Sequence, residues 1–246
     1  MKTDTFSILL FLVLMLVFDS CKKPDDGIPD VEKRYVKTII TIFPENRAQT
    51  QTVSHFFYDD DWNLTSRISL VNSDTLGVVR YFYADNRLSV RTIWSTGFFN
   101  YDTLSYRYSS DSIFSYWHEN DVEYKVSLQL LNGEGKAYYI EDYHWTDGVI
   151  SGKTEQHWNG DNLSKTVNTF SQSESIITQK FTYHSEVLNP MEGMHSSGYT
   201  QSRLYISTIE TIERPNGNRS FTILEKEDYY PVEVRNDSYI IQYLYY

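Results

Sequence analysis

The stretch Tyr81-Phe82-Tyr83-Ala84-Asp85-Asn86-Arg87-Leu88-Ser89-Val90 sets a frame that recurs along the chain: aromatics at alternate positions, a short polar turn, then an aliphatic residue. The aromatic before the turn is Tyr58, Tyr83, Tyr108, Trp158 and Tyr183, and the aliphatic after it is Leu64, Leu88, Ile113, Leu163 and Leu188. Gly133 breaks the aromatic series, and Leu64 falls one place late because the Asp59-Asp60-Asp61 turn is longer. A period of roughly 25 residues identifies an array of similar supersecondary units. Outward from the frame, Leu64, Ser66, Ile68 and Leu70 alternate with Thr65, Arg67 and Ser69. Leu88, Val90, Thr92 and Trp94 likewise alternate with Ser89, Arg91 and Ile93. Period-two alternation predicts strands with one apolar and one wet face. The best helix candidate, Ser202 to Glu213, alternates too and is rich in Ile and Thr.

Turn residues recur at about 12-residue intervals, the spacing of an all-β chain. They are Asn72-Ser73-Asp74, Ala84-Asp85-Asn86, Ser109-Ser110-Asp111, Asn132-Gly133, Asp147-Gly148, Asn159-Gly160 and Asn216-Gly217. Each unit is then one hairpin plus the turn to the next. This predicts an all-β antiparallel meander of roughly 14–16 strands, twisted into a coiled sheet or an open barrel. Between Asn189-Pro190 and Tyr199 the beat fades, which predicts a long loop.

The N-terminus reads differently. Ile8 to Phe18 is an unbroken apolar run introduced by Lys2 and closed by Asp19-Ser20-Cys21. It falls short of the roughly 20 residues a membrane-spanning helix needs, and has the proportions of a signal peptide covering residues 1–20. Cys21 is the only cysteine, and the Ser20-Cys21 junction resembles the lipobox of bacterial lipoproteins. That resemblance implies cleavage before Cys21 and its acylation, which leaves no thiol for catalysis or a disulfide. The alternative is a free cysteine just past an ordinary signal. Residues 21–34, with Pro24, Gly27 and Pro29 among charges, read as a lipidated N-terminus and flexible tether, and residues 35–246 as a single antiparallel β domain. The Lys22-Lys23-Pro24-Asp25-Asp26 segment is similar to the signal that sends some Bacteroidota lipoproteins to the outer face of the outer membrane.

A net charge of −11 argues against a nucleic-acid partner, which calls for a basic stripe. The 21 Tyr, 13 Phe and 5 Trp can each bury about 150–250 Å², enough to build a core from half-polar strands.

The aromatic-x-aromatic-turn-aliphatic unit resembles the tyrosine-aspartate repeats of large β-spiral surface proteins. It is more similar to uncharacterised Bacteroidota cell-envelope lipoproteins with a domain of unknown function built of such hairpins. Tyr183 to Pro190 and Asp228-Tyr229-Tyr230-Pro231-Val232 echo elements of that family. The resemblance implies an exported β-hairpin array on the bacterial outer membrane, lipid-anchored and in one orientation surface-exposed, with no site residues to carry over.

Motifs for chemistry are weak. Gly152-Lys153-Thr154 ends like a phosphate loop, but Asp147 stands where the first glycine belongs. Asp59-Asp60-Asp61-Trp62-Asn63 lacks the glycine and the twelfth-place glutamate of an EF-hand and reads as a solvated turn. His144 and His157 precede Trp145 and Trp158 and could face each other, but a zinc site needs a third ligand. No metal or other cofactor is expected. A Gly-x-Ser-x-Gly elbow is missing. Pairs such as Glu119/Asp121 and Glu225/Glu227 leave a carboxylate-based envelope glycosidase as the rival reading. The favoured reading is a non-enzymatic binding or scaffolding protein that meets the membrane through its anchor and takes a glycan or surface-protein ligand. Its candidate ligand residues are Trp145, Trp158 and Trp62, weighed against their use as caps on the core.

Overall fold

The computed structural model describes Glu32 and residues 34–43, 51–96, 98–144, 146–173, 175–191 and 207–246. The expected signal peptide, Cys21, most of the expected tether, Trp145 and the predicted loop after Met191 lie outside these. Arg34–Tyr246 form one compact unit.

Its strands are β1 Val36–Ile42, β2 Gln51–Tyr58, β3 Leu64–Val71, β4 Asp74–Ala84, β5 Arg87–Ser95, β6 Phe98–Tyr108, β7 Ser112–Glu119, β8 Val122–Leu131 and β9 Ala137–Tyr143. They continue with β10 Ile150–Asn159, β11 Asn162–Phe170, β12 Ser175–Leu188, β13 Ser207–Glu213, β14 Arg219–Ser220, β15 Thr222–Glu227, β16 Tyr230–Arg235 and β17 Ile240–Tyr245. No described residue is helical. The ladders are antiparallel, sequence neighbours pair, and all 17 strands belong to one sheet. β1 pairs with β2 and also with β17, Val36 lying opposite Tyr245, so the meander comes round on itself. β14 and β15 run on through Phe221, whose N–H donates to the Glu210 carbonyl at 2.7 Å. They occupy one place in the ring. Among the described residues β15 has no ladder on its β13 side, so the barrel is nearly closed. Along that gap lies a shallow polar cleft between 184–187 and 222–226.

The alternation of up and down strands places the turns after even-numbered strands as far as β12 at one end, together with Val36 and Tyr245. Three turns at Asn72-Ser73, Asp85-Asn86 and Asn120-Asp121 have positive φ at both central residues. This is the type I′ geometry of two-residue hairpins, supplied here by Asn, Asp and Ser without glycine.

The repeat frame has a specific structural cause. The β3–β4 ladder begins at Ser66 opposite Arg80, so the Leu64 carbonyl falls outside it. Tyr83, at the end of β4, donates its hydroxyl to that carbonyl at 3.0 Å. The same substitution of a side chain for a missing ladder bond repeats around the ring. Tyr58 donates to the Val36 carbonyl (2.9 Å), Tyr108 to Leu88 (2.8 Å), Trp158 to Ala137 (2.6 Å), Tyr183 to Leu163 (2.6 Å) and Tyr245 to Pro231 (2.7 Å). In each case the aromatic satisfies a carbonyl on the preceding strand that would otherwise be left without a partner. Gly133 breaks the series because that turn is built otherwise. Asn132 Oδ1 accepts the N–H groups of Glu134 and Lys136. The Lys136 ammonium then crosses to the next hairpin, binding Glu134, Asp161 and the Gly160 carbonyl. Burial opposes the charge on Lys136, but its bonds to Asp161 and Glu134 outweigh that and raise its pKa.

The frames of Tyr58, Tyr83 and Trp158 also contain a bulge. Tyr83 lies opposite Leu88 and Phe82 opposite Val90, leaving Ser89 extra. Thr65 and Ser164 are extra in the same way. Their hydroxyls bond the carbonyls of Phe57, Phe82 and His157. An inserted residue reverses the side-chain alternation, and this corrects the expected faces. Leu88 is buried beside Tyr83, as read from the sequence. Beyond the bulge it is Arg91 and Ile93 that share the face of Val79 and Tyr81, while Val90, Thr92 and Trp94 turn to the opposite face.

The buried face comprises Val36, Phe56, Leu64, Val79, Tyr81, Leu88, Tyr106 and Ile113 in one cluster. In a sheet that comes round on itself, this enclosed face is the interior. Between β7 and β11 the interior becomes polar: Ser115, Ser127, Gln129, Gln156 and Thr166 are all buried. The other face of that arc is wet. On β10, exposed Lys153, Glu155 and His157 alternate with buried Gly152 and Gln156.

Candidate binding site

Three sequence candidates meet different fates. Trp145 lies outside the described residues. Trp158 is a cap, its indole N–H spent on the Ala137 carbonyl and its ring lying 5.9 Å from the Lys136 ammonium. Trp62 is the exposed one, at 46%, and it does not stand alone.

The Asp59–Asn63 turn presents Trp62. Asp59 Oδ1 accepts the N–H of Asp61 and of Asn63, and its Oδ2 accepts the Asn63 amide. These bonds, the Asn63 N–H first among them, hold the Asp59 carboxyl below the usual carboxylate range. They also allow Trp62 its positive φ of 61°. Asp59 is thereby committed to its own turn, and no group of three His, Cys, Asp or Glu suited to a metal occurs among the described residues.

Trp62 stacks on Tyr35, centroids 4.3 Å apart at 16°. Tyr246 meets it edge-on at 6.0 Å, and Tyr58 lies at 6.0 Å beneath. Tyr58 in turn packs edge-on against Tyr35 and Tyr246. The Lys37 ammonium sits 5.4 Å from the Tyr246 ring. The Tyr246 hydroxyl is anchored on the Phe56 carbonyl at 3.0 Å, yet the residue remains 55% exposed. Four rings, Tyr35 just ahead of β1, Tyr58 of β2, Trp62 of the first repeat turn and Tyr246 just after β17, therefore share one end of the barrel. Two of them offer surface to a ligand. The arrangement suits apolar stacking on a flat partner, with Lys37, Asp60 and Asp61 nearby in sequence for polar contacts.

Sequence reasoning missed Tyr35 and Tyr246 because neither belongs to the repeat frame. Their meeting with Trp62 depends on the β1–β17 closure, a contact across the whole length of the domain.

Other constellations do not assemble into chemistry. His144 bonds Thr146 at the β9–β10 turn, whereas His157 lies near the far end of β10 opposite Lys165, so the two histidines do not face each other. His118 Nε2 lies 2.7 Å from Ser105 Oγ, but Glu123 approaches the same nitrogen at 3.8 Å and is bound by Arg107. A triad would place the carboxylate on the other ring nitrogen. Asp121 sits in a type I′ turn and Glu225 and Glu227 are exposed on β15, so neither proposed carboxylate pair lines a deep cleft.

No family model matches the chain, and no curated protein does. Among solved structures, a porin-like protein from Bacteroides uniformis aligns over 86% of this chain and 98% of its own, at 11% identity with a TM-score of 0.43. A mutant of S. aureus TarM, in complex with Fondaparinux, alpha-GlcNAc-glycerol and UDP, aligns over 55% of this chain and 20% of its own, at 15% identity with a TM-score of 0.19. At these values the likeness carries no argument about function, and the fold rests on the ladders themselves.

Proposed function

We propose that this chain is an exported lipoprotein held to the outer membrane through Cys21, with a non-enzymatic role: its barrel end displays Trp62, backed by Tyr35, and Tyr246 to a glycan or a surface protein. The observation that carries this reading is Trp62, a large ring half exposed and held in place by three other aromatics. Large apolar rings are ordinarily covered, and a cluster that is both rigid and exposed is characteristic of recognition surfaces. A sugar's apolar face would stack on the free side of Trp62, with its hydroxyls reaching the neighbouring acidic turn. The wet outer wall of β10 supports anchorage by lipid rather than by insertion along that arc, since a charge facing the bilayer midplane costs about 2–4 kcal/mol.

The rival reading, an envelope hydrolase, would need acids and histidines converging in a deep cleft. Two clefts lined by described residues are open to solvent rather than deep, one on the outer wall at Val78, Arg80, Thr92 and Trp94 and one at the β12–β15 gap. The test is an oligosaccharide array probed with wild type, Trp62→Ala and Trp158→Ala. Binding lost in Trp62→Ala with its melting temperature held within a few degrees, and kept in Trp158→Ala at temperatures where that variant is folded, supports the platform. Equal signals from wild type and Trp62→Ala sink it, and no signal from either removes the glycan as its ligand.

A further inference from the structure

The interior of the barrel contains two cations that the repeat does not explain. Arg67 on β3 pairs across the ladders with Phe56 and with Val79. Arg91 on β5 pairs with Tyr81. Val79 and Tyr81 are successive inward residues of β4, so the two arginines flank the same short stretch of one strand from opposite sides. Their neighbours are deeply covered, Phe56 at 3%, Val79 at 7% and Tyr81 at 5%. The Nε of each guanidinium is itself buried and without a hydrogen-bond partner. Neither arginine takes part in a salt bridge among the described residues. Asp102, which shares the inward face opposite Ile93, forms no ion pair with either of them.

Two like charges on one enclosed wall, separated by a single strand, repel each other, and a buried guanidinium N–H without a partner is costly. Arginine is also the side chain whose planar fork fits a carboxylate or phosphate through two parallel bonds. The surroundings are specific as well. Ile93 and Leu104 lie on the same inward face, partly covered and packed against the core cluster, with Leu104 directly opposite Arg91. The wall therefore combines a doubly cationic spot with adjacent apolar side chains that are not yet fully buried.

We infer that the barrel interior is a binding site for an acid-headed amphiphile, its carboxylate or phosphate held between Arg67 and Arg91 and its apolar body lying along Val79, Ile93 and Leu104. This site is separate from the aromatic cluster at the barrel end, and either can fail without the other. Bound in this way, the anion would meet the accessible terminal nitrogens of both guanidinium groups and relieve the repulsion between the charges. The ligand's apolar surface would complete the cover over Ile93 and Leu104.

The test is calorimetric titration of the full chain carrying Cys21→Ala, so that no acyl group of its own competes. The probes are dodecanoate, dodecyl phosphate, neutral 1-dodecanol and the dodecyltrimethylammonium cation. Both anions should bind at one equivalent, at least about tenfold tighter than dodecanol, and the cation should not bind. The tighter of the two anions identifies the head group as carboxylate or phosphate. Arg67→Gln/Arg91→Gln should bring the anions to within about twofold of dodecanol. Should that double variant fail to fold, Arg67→Lys and Arg91→Lys each keep the charge and lose the fork, and each should weaken the anions while leaving dodecanol unchanged. Dodecanol binding as tightly as dodecanoate in wild type, no binding of either anion, or an anion preference that survives in the arginine variants would overturn the assignment.

Discussion

Replacing Tyr83 with Phe removes one hydroxyl and nothing else, and the ladder geometry says what that hydroxyl does. The Leu64 carbonyl lies outside the β3–β4 ladder and is met by Tyr83 at 3.0 Å. Leu64 itself is 2% exposed, so water is a poor substitute. The loss at neutral pH should be about 1–3 kcal/mol, the range for a buried acceptor left unpaired. The same hydroxyl has a second consequence at high pH. Burial holds the phenols of Tyr58, Tyr83 and Tyr245 well above their ordinary value, and Tyr108 is pushed up to about 12. Raised folded values mean that this contribution is fully present below about pH 10, where the unfolded phenols are still protonated. It is lost as pH climbs toward the folded values, because the unfolded state releases protons the folded state keeps. Each such phenol steepens the alkaline fall by about 1.4 kcal/mol per pH unit, so Tyr58, Tyr83 and Tyr245 together give about 4 kcal/mol per unit. A domain of ordinary stability, about 5–15 kcal/mol, should therefore unfold within a few units above pH 10. Urea unfolding followed by circular dichroism at neutral pH and through the alkaline range reads both effects. Tyr83→Phe should be weaker than wild type at neutral pH, with a shallower alkaline slope, so that the two stabilities converge as pH rises. A variant as stable as wild type at neutral pH, or one with an unchanged alkaline slope, would refute the capping role.

Metabolic labelling with an alkyne fatty acid should mark wild type and not Cys21→Ala; equal labelling would remove the proposed anchor, which needs more than one acyl chain to be durable. Leu88→Asp should abolish folding, because it places a carboxylate at a 4% exposed position. Ser89→Asp, at the bulge where the serine only bonds the Phe82 carbonyl, should unfold at a denaturant concentration near that of wild type; collapse of both would overturn the assignment of faces. Lys136→Met keeps the stem but strands Glu134, Asp161 and the Gly160 carbonyl. Chemical denaturation should show a loss of about 1 kcal/mol, because the Glu134 and Asp161 carboxylates are 70% and 42% exposed and return to water, and an unchanged midpoint would show the bridge to be ornamental.

What the sequence disclosed and what it hid follow from the range of the interactions involved. Alternation and turn chemistry are local, so Leu64, Leu88 and Leu163 announced the hairpins, and the meander of paired neighbours came with them. The bulges were written in the chain as well, as the Ser or Thr after Leu64, Leu88 and Leu163, but a hydroxyl bonding across a turn leaves no periodic trace. Reading straight alternation through Ser89 therefore placed Val90, Thr92 and Trp94 on the wrong face. Closure of the ring was the least legible feature. β1 and β17 pair because the last even-numbered position must find a partner, and nothing in Tyr243-Leu244-Tyr245-Tyr246 names Val36 as that partner.

The same distinction separates the aromatics that build from those left free to recognise. Tyr58, Tyr83, Tyr108, Trp158, Tyr183 and Tyr245 each have their donor committed to a backbone carbonyl on the preceding strand. Replacing any of them costs the fold a bond, so a repeated aromatic in this chain is evidence of architecture. Trp62 falls outside the frame, in the one repeat turn lengthened by its aspartates, and its ring is held by stacking on Tyr35. Departure from the repeat is thus the informative signal. Arg67 and Arg91 extend the reasoning inward, since they occupy matching repeat positions yet lack the partners that the repeat supplies to every capping aromatic.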